Sequence, residues 1–243
     1  MVRIGIDFDN TIVNYDAVFR FLIKNKYNIN TPNKTKSQIR KNIINLKGEK
    51  SWMALQGQAY GKFMYKAEIS SGFKNFLHRA LINRCDIFIV SHKTKYGHFD
   101  KSKTDLRIKS QQWIYKNINL NEKFKILKKN IFFLPSIEKK INKIKDLNLD
   151  YFIDDLEIIL NNYNFPKSTK RILYNTSTKK NLFKNYTNWR DISYNIFGQE
   201  KLKELIKWLE KTSNLKIKKI SKIKAQKNSK VFKVLTSKNN EYL

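Results

Sequence analysis

The chain has 243 residues, and 50 lysines and arginines against 20 aspartates and glutamates give it a formal net charge of +30. This length predicts one large domain, or one domain with a small appendage, and at 41% hydrophobic residues the chain is too apolar for a disordered polycation. The apolar runs are shorter than the ~18 residues of a membrane span, and the N-terminus is too acidic for a signal peptide. With a single cysteine, Cys85, these features predict a cytoplasmic protein without a disulfide framework.

Short apolar runs typical of buried strands alternate with segments of helical periodicity along most of the chain. The predicted strands are Arg3–Asp7, Asp86–Val90, Asn130–Leu134, Tyr151–Ile153 and Arg171–Tyr174. The predicted helices cover residues 15–27, 35–46, 51–66, 72–83, 103–118, 137–147 and 200–212. Strands that alternate with helices favour an α/β fold with a Rossmann-like, mostly parallel sheet flanked by helices.

The distribution of these elements predicts how the chain divides. Residues 14–70 hold too many helices for one crossover between the first two strands, so we predict a helical cap, at about residues 15–70, inserted after the first strand. The catalytic domain is predicted to cover residues 1–198, followed by a helix over residues 199–213. Residues 214–243 carry nine lysines against one glutamate and are predicted to form a basic tail.

The first predicted strand runs into the segment Asp7–Thr11, whose sequence is DFDNT. Residues two apart in a strand point the same way, so we expect Asp7 and Asp9 to share a site. Adjacent carboxylates repel unless a cation lies between them, and an all-oxygen ligand set suits Mg²⁺. An aspartate can also act as a nucleophile and form an aspartyl-phosphate. An EF-hand calcium loop would require glycine and glutamate where the chain has Ile12 and Val18, and a nucleotide-binding loop would require glycines that the segment lacks.

Two other predicted strands also run into polar residues. The strand Asp86–Val90 is followed by Ser91, and the strand Tyr151–Ile153 is followed by Asp154 and Asp155. Between them lies a predicted helix that opens with two lysines. In this order, Asp-x-Asp-x-Thr, serine, lysine and Asp-Asp resemble the motifs of the haloacid dehalogenase-like (HAD) hydrolase superfamily. The resemblance covers roughly residues 3–197.

The resemblance implies a catalytic role for four of these residues. Asp7 is expected to be the nucleophile that attacks phosphorus, and Asp9 the general acid and then the base for water. Thr11 is expected to belong to the phosphate-binding site, where it holds the geometry of the loop. Ser91 is expected to donate a hydrogen bond to a phosphoryl oxygen. The implied reaction is hydrolysis of a phosphomonoester through an aspartyl-phosphate.

The resemblance also implies a Mg²⁺ ion and a lysine that offset the charge of the phosphate. The expected metal ligands are Asp7, the main-chain carbonyl of Asp9, Asp155 and Asp154. Lys139 and Lys140 both open the helix, and either could be the phosphate-binding lysine. We favour Lys140, because it follows Ile137 by three residues and precedes Ile144 by four, and therefore shares their apolar face.

Several neighbouring residues allow two interpretations. His92 and Lys93 either contact the substrate or line a loop. In the predicted cap, aromatic residues recur at helical spacing, and core packing is the expected role of Trp52, Tyr60, Phe63 and Tyr65. A substrate-facing aromatic is the alternative, because the caps of the resembled superfamily select the leaving group.

These observations predict a Mg²⁺-dependent phosphatase that acts on a small phosphorylated metabolite such as a sugar or nucleotide. One alternative is a phosphotransferase on the same scaffold. Another is a basic nucleic-acid-binding or assembly protein, because a charge of +30 attracts polyanions. We interpret the charge instead as compositional background, since Lys, Asn and Ile share A/T-rich codons and the lysines are spread along the chain.

The basic tail has a pattern of its own. Its end, Ser229–Leu243, predicts a strand, a turn at residues 238–240 and the start of a second strand. This pattern resembles the first hairpin of an aminoglycoside-phosphotransferase-like kinase lobe. The resemblance implies the start of a second domain, but no kinase activity in these residues.

Overall fold

The structure is a computed structural model that describes residues 1–118, 126–175, 185–198, 210–211, 217–226, 229–236 and 241–242. It divides the chain into two compact units, Met1–Ile192 and Ser193–Leu243. The predicted boundary of the catalytic domain lay at residue 198. No helix within the described ranges combines the length and the apolar character needed to span a bilayer.

The first unit contains a six-stranded sheet in the order β5-β4-β1-β6-β7-β8. Its strands are β1 Arg3–Ile6, β4 Asp86–His92, β5 Ile131–Leu134, β6 Tyr151–Asp154, β7 Lys170–Tyr174 and β8 Asn185–Tyr186. All neighbouring strands pair in parallel, with Ile6 opposite both Ile89 of β4 and Ile153 of β6. The fold class predicted from the sequence is therefore confirmed.

Helices follow the strands along the chain and begin at recognisable signals. Their bounds are α1 Asp16–Tyr27, α2 Lys36–Tyr60, α3 Phe73–Ile82, α4 Leu106–Asn117, α5 Ile137–Asp146, α6 Glu157–Leu160 and α7 Trp189–Phe197. Thr35 and Gln38 form a capping box at the start of α2, and the side chain of Asp105 accepts hydrogen bonds from the first turn of α4. Short 3₁₀ turns lie at Met64–Lys66 and Lys128–Asn130.

The core lies between the sheet and these helices. Ile4 and Ile6 of β1 are fully buried, and Phe88, Val90 and Phe152 of the neighbouring strands form one apolar cluster with Ile141, Ile144 and Leu149. The packing is close enough to require a glycine in β1. A Cβ at Gly5 would lie 2.4 Å from Leu149 and 2.7 Å from Phe152. The central strand is thus fixed against its neighbours, with its carboxyl end directed at one edge of the sheet.

A helical insertion lies between β1 and β4, at the place where the sequence predicts the cap. A two-stranded antiparallel ribbon frames it, formed by β2 Val13–Asn14 and β3 Glu68–Ile69. The insertion contains α1 and α2, and Phe19 of α1 stacks on Trp52 of α2 with ring centroids 4.6 Å apart. We call this insertion the cap.

The break between the predicted helices 35–46 and 51–66 is present in the cap. It lies at Gly48 within α2, where φ is +77° and the helical conformation is interrupted, so α2 consists of two helical arms. A straight helix would separate Lys36 and Tyr60 by roughly 36 Å. Their side chains are instead hydrogen-bonded at 2.7 Å, so the two arms of α2 fold back on each other. The reversal requires glycine because other residues rarely adopt this backbone conformation.

The second unit contains a three-stranded antiparallel sheet in the order β11-β10-β9. Its strands are β9 Ile217–Gln226, β10 Ser229–Thr236 and β11 Glu241–Tyr242. The sequence predicts β10 and β11 but not β9. The predicted turn at residues 238–240 lies outside the described residues, as does the predicted helix 200–212 except for residues 210 and 211, which are helical. The kinase-like resemblance of this segment stays a prediction.

Candidate active site

The segment that carries Asp7 and Asp9 leaves the sheet in a tight turn. The strand ends at Ile6, and the amide of Asp7 donates to the carbonyl of Ile153 at 2.8 Å, which ties the start of the turn to β6. The amides of Ile12 and Val13 both donate to the carbonyl of Phe8, and Asn10 adopts a φ of +60°. The expectation that strand alternation aligns the two aspartates is therefore wrong. A turn places both of them on the wall of one cavity.

Lys140 lies at the centre of the site. Ser136 caps α5 by accepting a hydrogen bond from the amide of Lys139, and the helix then carries the side chain of Lys140 inward while Lys139 is exposed. The Lys140 Nζ donates to Asp7 Oδ1 at 2.6 Å and to Asp154 Oδ2 at 2.7 Å, and the residue is only 1% exposed. Burial lowers the pKa of Lys140, but the charges of Asp154 and Asp7 outweigh it and raise that pKa above its ordinary value. The lysine is therefore a permanent cation between two carboxylates.

Asp155 completes a cluster of three carboxylates. Oxygen atoms of Asp7, Asp154 and Asp155 all lie within 4.8 Å of one another. The Asn10 Nδ2 donates to Asp155 Oδ2 at 3.3 Å, and the Thr11 hydroxyl lies 3.5 Å from Asp155 Oδ1. Because carboxylate oxygens are the ligands that Mg²⁺ prefers, the donor set fits a magnesium site.

The carboxylates of this cluster are costly to ionise without a cation. Burial raises the pKa of Asp7, Lys140 opposes the rise, and the charges of Asp154 and Asp9 add to it, so the pKa moves from 3.8 to about 7. Burial and the charges of Asp7 and Asp154 raise the pKa of Asp155 well above its usual range. A divalent ion would favour the ionised form of both groups.

Asp9 faces a different set of partners on the cap side of the site. The Tyr15 hydroxyl donates to Asp9 Oδ1 at 2.5 Å, and the Lys93 Nζ lies 2.9 Å from Asp9 Oδ2. Lys93 is 3% exposed, and its ammonium lies 4.9 Å from the ring centroid of Tyr60 and 5.3 Å from that of Phe8. Lys93 thus does more than line the loop after β4, because it pairs with Asp9, and its contact with a substrate stays a prediction.

Lys36 connects the cap to the turn that carries Asp7. Its Nζ donates to Asn10 Oδ1 at 2.7 Å and to the Tyr60 hydroxyl at 2.7 Å, while Gln56 donates to the same hydroxyl at 3.2 Å. Burial lowers the pKa of Lys36, but Tyr60, Asp9 and Asp155 outweigh this and raise it. Sequence reasoning missed this lysine. Tyr60, for which core packing was expected and a substrate-facing position was the alternative, presents its hydroxyl to Lys36 and Gln56 beside the site.

The structure brings the remaining predicted residues to the same edge of the sheet. Ser91 is almost fully buried within β4, and it lines the cavity beside Asp7 and Lys140. His92 is exposed at the cavity rim, where its Nε2 lies 3.2 Å from the carbonyl of Pro135. Thr11 is fully buried behind the cluster, so the structure gives it a supporting position rather than a surface for phosphate.

A cavity of about 440 Å³ opens over the carboxylate cluster, between the edge of the sheet and the cap. The ends of the strands and α5 contribute Asp7, Asp9, Ser91, Lys140 and Asp155, among others, and the cap contributes Lys36, Arg40, Glu49, Trp52, Met53, Gln56 and Tyr60. A smaller cavity of about 220 Å³ adjoins it and shares Asp9, Met53, Gln56, Tyr60 and His92. The space is of the size that holds a small organic ligand.

Comparison with solved structures identifies the fold. The putative HAD-hydrolase YfnB from Bacillus subtilis, bound to magnesium, is 15% identical, with a TM-score of 0.51 over 82% of this chain and 99% of that one. The chain has the fold of the HAD-superfamily hydrolases. A HAD-superfamily hydrolase from Ehrlichia chaffeensis is also similar, at 17% identity and a TM-score of 0.45 over 80% of this chain and 95% of that one. No protein-family model and no curated protein matches the sequence.

The HAD fold accounts for the way in which distant motifs meet. The ends of β1, β4 and β6 are neighbours because the strand order is β4-β1-β6, and α5 enters the same edge from the side. Asp7, Ser91, Lys140 and Asp155 are thereby gathered around one cavity, although they are spread over the whole first unit. The roles that the resemblance implies for them stay predictions.

Proposed function

We propose that the protein is a Mg²⁺-dependent phosphatase that works in the cytoplasm and removes phosphate from a small phosphorylated metabolite through an aspartyl-phosphate on Asp7. One observation carries the proposal. A buried lysine bridges Asp7 and Asp154 at 2.6 and 2.7 Å, with Asp155 in the same cluster, at the carboxyl edge of a parallel sheet. A cation and three carboxylates around one cavity suit a metal ion and a phosphoryl group together.

The donor set supports a magnesium ion at this place. Asp7, Asp154 and Asp155 would hold it, together with the main-chain carbonyl of Asp9. When bound, the ion would neutralise phosphoryl oxygens and favour ionised carboxylates. The magnesium bound to YfnB, which has the same fold, is a further reason to propose this ion.

In the first step, an oxygen of the Asp7 carboxylate attacks the phosphorus atom. A bond forms between that oxygen and phosphorus, and the bond from phosphorus to the alcohol oxygen breaks. Asp9 gives its proton to the departing oxygen, so the alcohol leaves neutral. The ammonium of Lys140 and the hydroxyl of Ser91 line the same cavity and would stabilise the charge that develops on the phosphoryl oxygens.

In the second step, a water molecule attacks the phosphorus of the aspartyl-phosphate. Asp9, now a carboxylate, takes a proton from this water. The bond between phosphorus and the Asp7 oxygen breaks, which releases inorganic phosphate and restores the carboxylate. Tyr15 and Lys93 hold Asp9 at 2.5 and 2.9 Å, so the same carboxyl group stays in place for both proton transfers.

The supporting residues keep these groups at their positions. Thr11 and Asn10 contact Asp155 from the turn that carries the nucleophile, so a shift of that turn would also move a metal ligand. The hydrogen bond from Lys36 to Asn10 extends this connection to the cap.

The test is phosphate release from a panel of phosphate esters, with Mg²⁺ and with EDTA. Asp7→Asn should remove turnover because the amide is a poor nucleophile, whereas Asp146→Asn, an exposed control on α5, should retain it. Normal turnover in Asp7→Asn would refute the mechanism. Adding competing alcohols and measuring phosphorylated alcohol against inorganic phosphate would separate hydrolysis from phosphoryl transfer.

A further inference from the structure

Two basic side chains of the cap lie on the wall of the active-site cavity. Lys36 and Arg40 both line it, together with Asp7 and Lys140. They are four residues apart in the first arm of α2, so they project from one face of the helix. The two cations therefore form a local basic surface inside the cavity, separate from Lys140.

Neither cation is neutralised by a carboxylate at salt-bridge distance within the part of the chain that the structure describes. The hydrogen-bond partners of Lys36 are a side-chain amide oxygen and a tyrosine hydroxyl, which are both neutral. An ammonium has three N–H donors, so one remains after these two bonds. Arg40 is exposed, and among the described residues it makes no hydrogen bond or ion pair. Unpaired cations that converge on a cavity are sites for an anion.

The scissile phosphate does not need these two residues. Lys140 and the carboxylate cluster already provide a cation and a fitting metal site for it. We propose that Lys36 and Arg40 bind a second anionic group, so that the substrate is a small phosphate ester that also carries a carboxylate or another phosphate. This inference rests on the proposed function, because it takes the cavity to be the substrate site.

The rest of the cap wall fits a short linker between two charged ends. Trp52 and Met53 line the cavity together with the two cations and can contact the carbon atoms of such a ligand. The cap also contributes one acidic side chain, Glu49, to the lining of the cavity. Glu49 would favour a ligand with a positively charged end, such as an amine. The cap places two cations beside this one carboxylate, so the surface as a whole favours an anionic end. A carboxylate or phosphate also matches the planar fork of an arginine.

Binding of non-hydrolysable phosphonates tests the inference without requiring turnover. Calorimetry with the full chain and Mg²⁺ would compare four ligands of matched length: a carboxyalkyl phosphonate, an alkane bisphosphonate, a hydroxyalkyl phosphonate and an aminoalkyl phosphonate. We expect the carboxyalkyl phosphonate and the bisphosphonate, which carry a second anionic group, to bind at least about tenfold more tightly than the hydroxyalkyl ligand, as one charged hydrogen bond predicts. Comparing the first two distinguishes a carboxylate from a second phosphate.

Variants assign the preference to the cap. Arg40→Met should reduce the preference about tenfold, and Arg40→Glu should shift it toward the aminoalkyl ligand. Lys41→Met is the matched control, because Lys41 is the next residue on α2 and is exposed. Equal binding of all four ligands, tightest binding of the aminoalkyl ligand, or the same loss in Lys41→Met would overturn the inference. Preference for a second anionic group without phosphate release would instead support the inference and refute the phosphatase.

Discussion

Lys140→Met is the substitution that most directly tests how the site is held together. The ammonium of Lys140 lies 2.6 Å from Asp7 and 2.7 Å from Asp154, and it is nearly inaccessible to water. Methionine is of similar length and fills the same space without the charge. The variant would leave the carboxylates of Asp7, Asp154 and Asp155 in one buried cluster with no cation between them.

The expected cost depends on pH. Removing one partner of a buried ion pair costs about 3–5 kcal/mol, because the other charge is left without compensation. Protonation of Asp7 would reduce that cost, because the pKa of this carboxyl is already raised to about 7 and the protonated form carries no charge. One pH unit above that pKa, the proton costs about 1.4 kcal/mol, and below it the proton costs little. We therefore expect a loss of about 3–4 kcal/mol near pH 8 and about 1–2 kcal/mol near pH 5.5.

The sign follows from the direction of the shift. A carboxyl whose pKa rises on folding, from 3.8 to about 7, is better tolerated when protonated, so its contribution to stability falls as the pH rises through that window. Lys140 lowers the pKa of Asp7, and its removal would extend the window upward. The variant should therefore lose more stability in alkaline solution than the parent protein does.

Urea unfolding followed by tryptophan fluorescence, in EDTA near pH 5.5 and near pH 8, measures both values. Lys139→Met is the control, because Lys139 is exposed on the same helix and should change the unfolding free energy by less than about 0.5 kcal/mol. Added Mg²⁺ should stabilise Lys140→Met, since a bound cation takes over part of the lost charge. A loss below about 1 kcal/mol near pH 8, or equal losses at both pH values, would refute the reasoning.

Three further predictions follow from the same contacts. Lys93→Met should lower kcat about 10- to 100-fold with little change in KM, because the Asp9 carboxyl loses the ammonium at 2.9 Å that orients it; a rise in KM alone would contradict this. Mg²⁺ should bind more tightly as the pH rises through about 7, with proton release detectable by calorimetry in different buffers, because the Asp7 carboxyl must ionise; affinity independent of pH would contradict it. Gly57→Ala should destabilise the protein by about 1–3 kcal/mol in thermal or urea unfolding, because its Cβ would lie 2.6 Å from that of Asp100; unchanged stability would contradict this contact between cap and core.

The elements that the sequence predicted correctly are those with a strong local pattern. The apolar runs of β1, β4 and β6 are short, continuous and followed by polar residues, which is the pattern of strands covered on both faces. Their convergence follows from the general rule that parallel strands end at one edge. The buried position of Lys140 also had a local signal, since its spacing from Ile137 and Ile144 placed it on the inward face of α5.

The residues that the sequence did not reveal depend on the folding of the cap. Lys36 is near the carboxylates only because α2 reverses at Gly48, and nothing in its neighbourhood distinguishes it from other lysines. The isolated glycine within a helical pattern was the available signal for the reversal. Lys93 is different, because its position directly after β4 already made it a candidate in the sequence, although its contact with Asp9 was not predicted.

The missed strand β9 has a different physical cause. Its sequence alternates irregularly, which argues against a regular strand. The pairing with β10 explains this, because the register shifts between Val231 and Phe232, whose partners are Lys224 and Lys222. One residue of β9 is left unpaired at that point, as in a β-bulge. A bulge changes which residues face each side of the sheet, so the alternation breaks although the strand continues.

The net charge of the chain is a poor guide to its site, where the local count of charges decides the chemistry. Four carboxyl groups and three ammonium groups meet there: Asp7, Asp9, Asp154, Asp155, Lys36, Lys93 and Lys140. Each carboxyl group that is ionised would repel a phosphate dianion at short range despite the +30 of the whole chain. A divalent cation would offset this repulsion, and it would also favour the ionised form of Asp7 and Asp155, whose pKa values burial raises. The surface lysines cannot replace that cation, because solvent screens them within about 8–10 Å. The acidic cluster in a basic protein therefore favours a substrate that binds together with its metal ion.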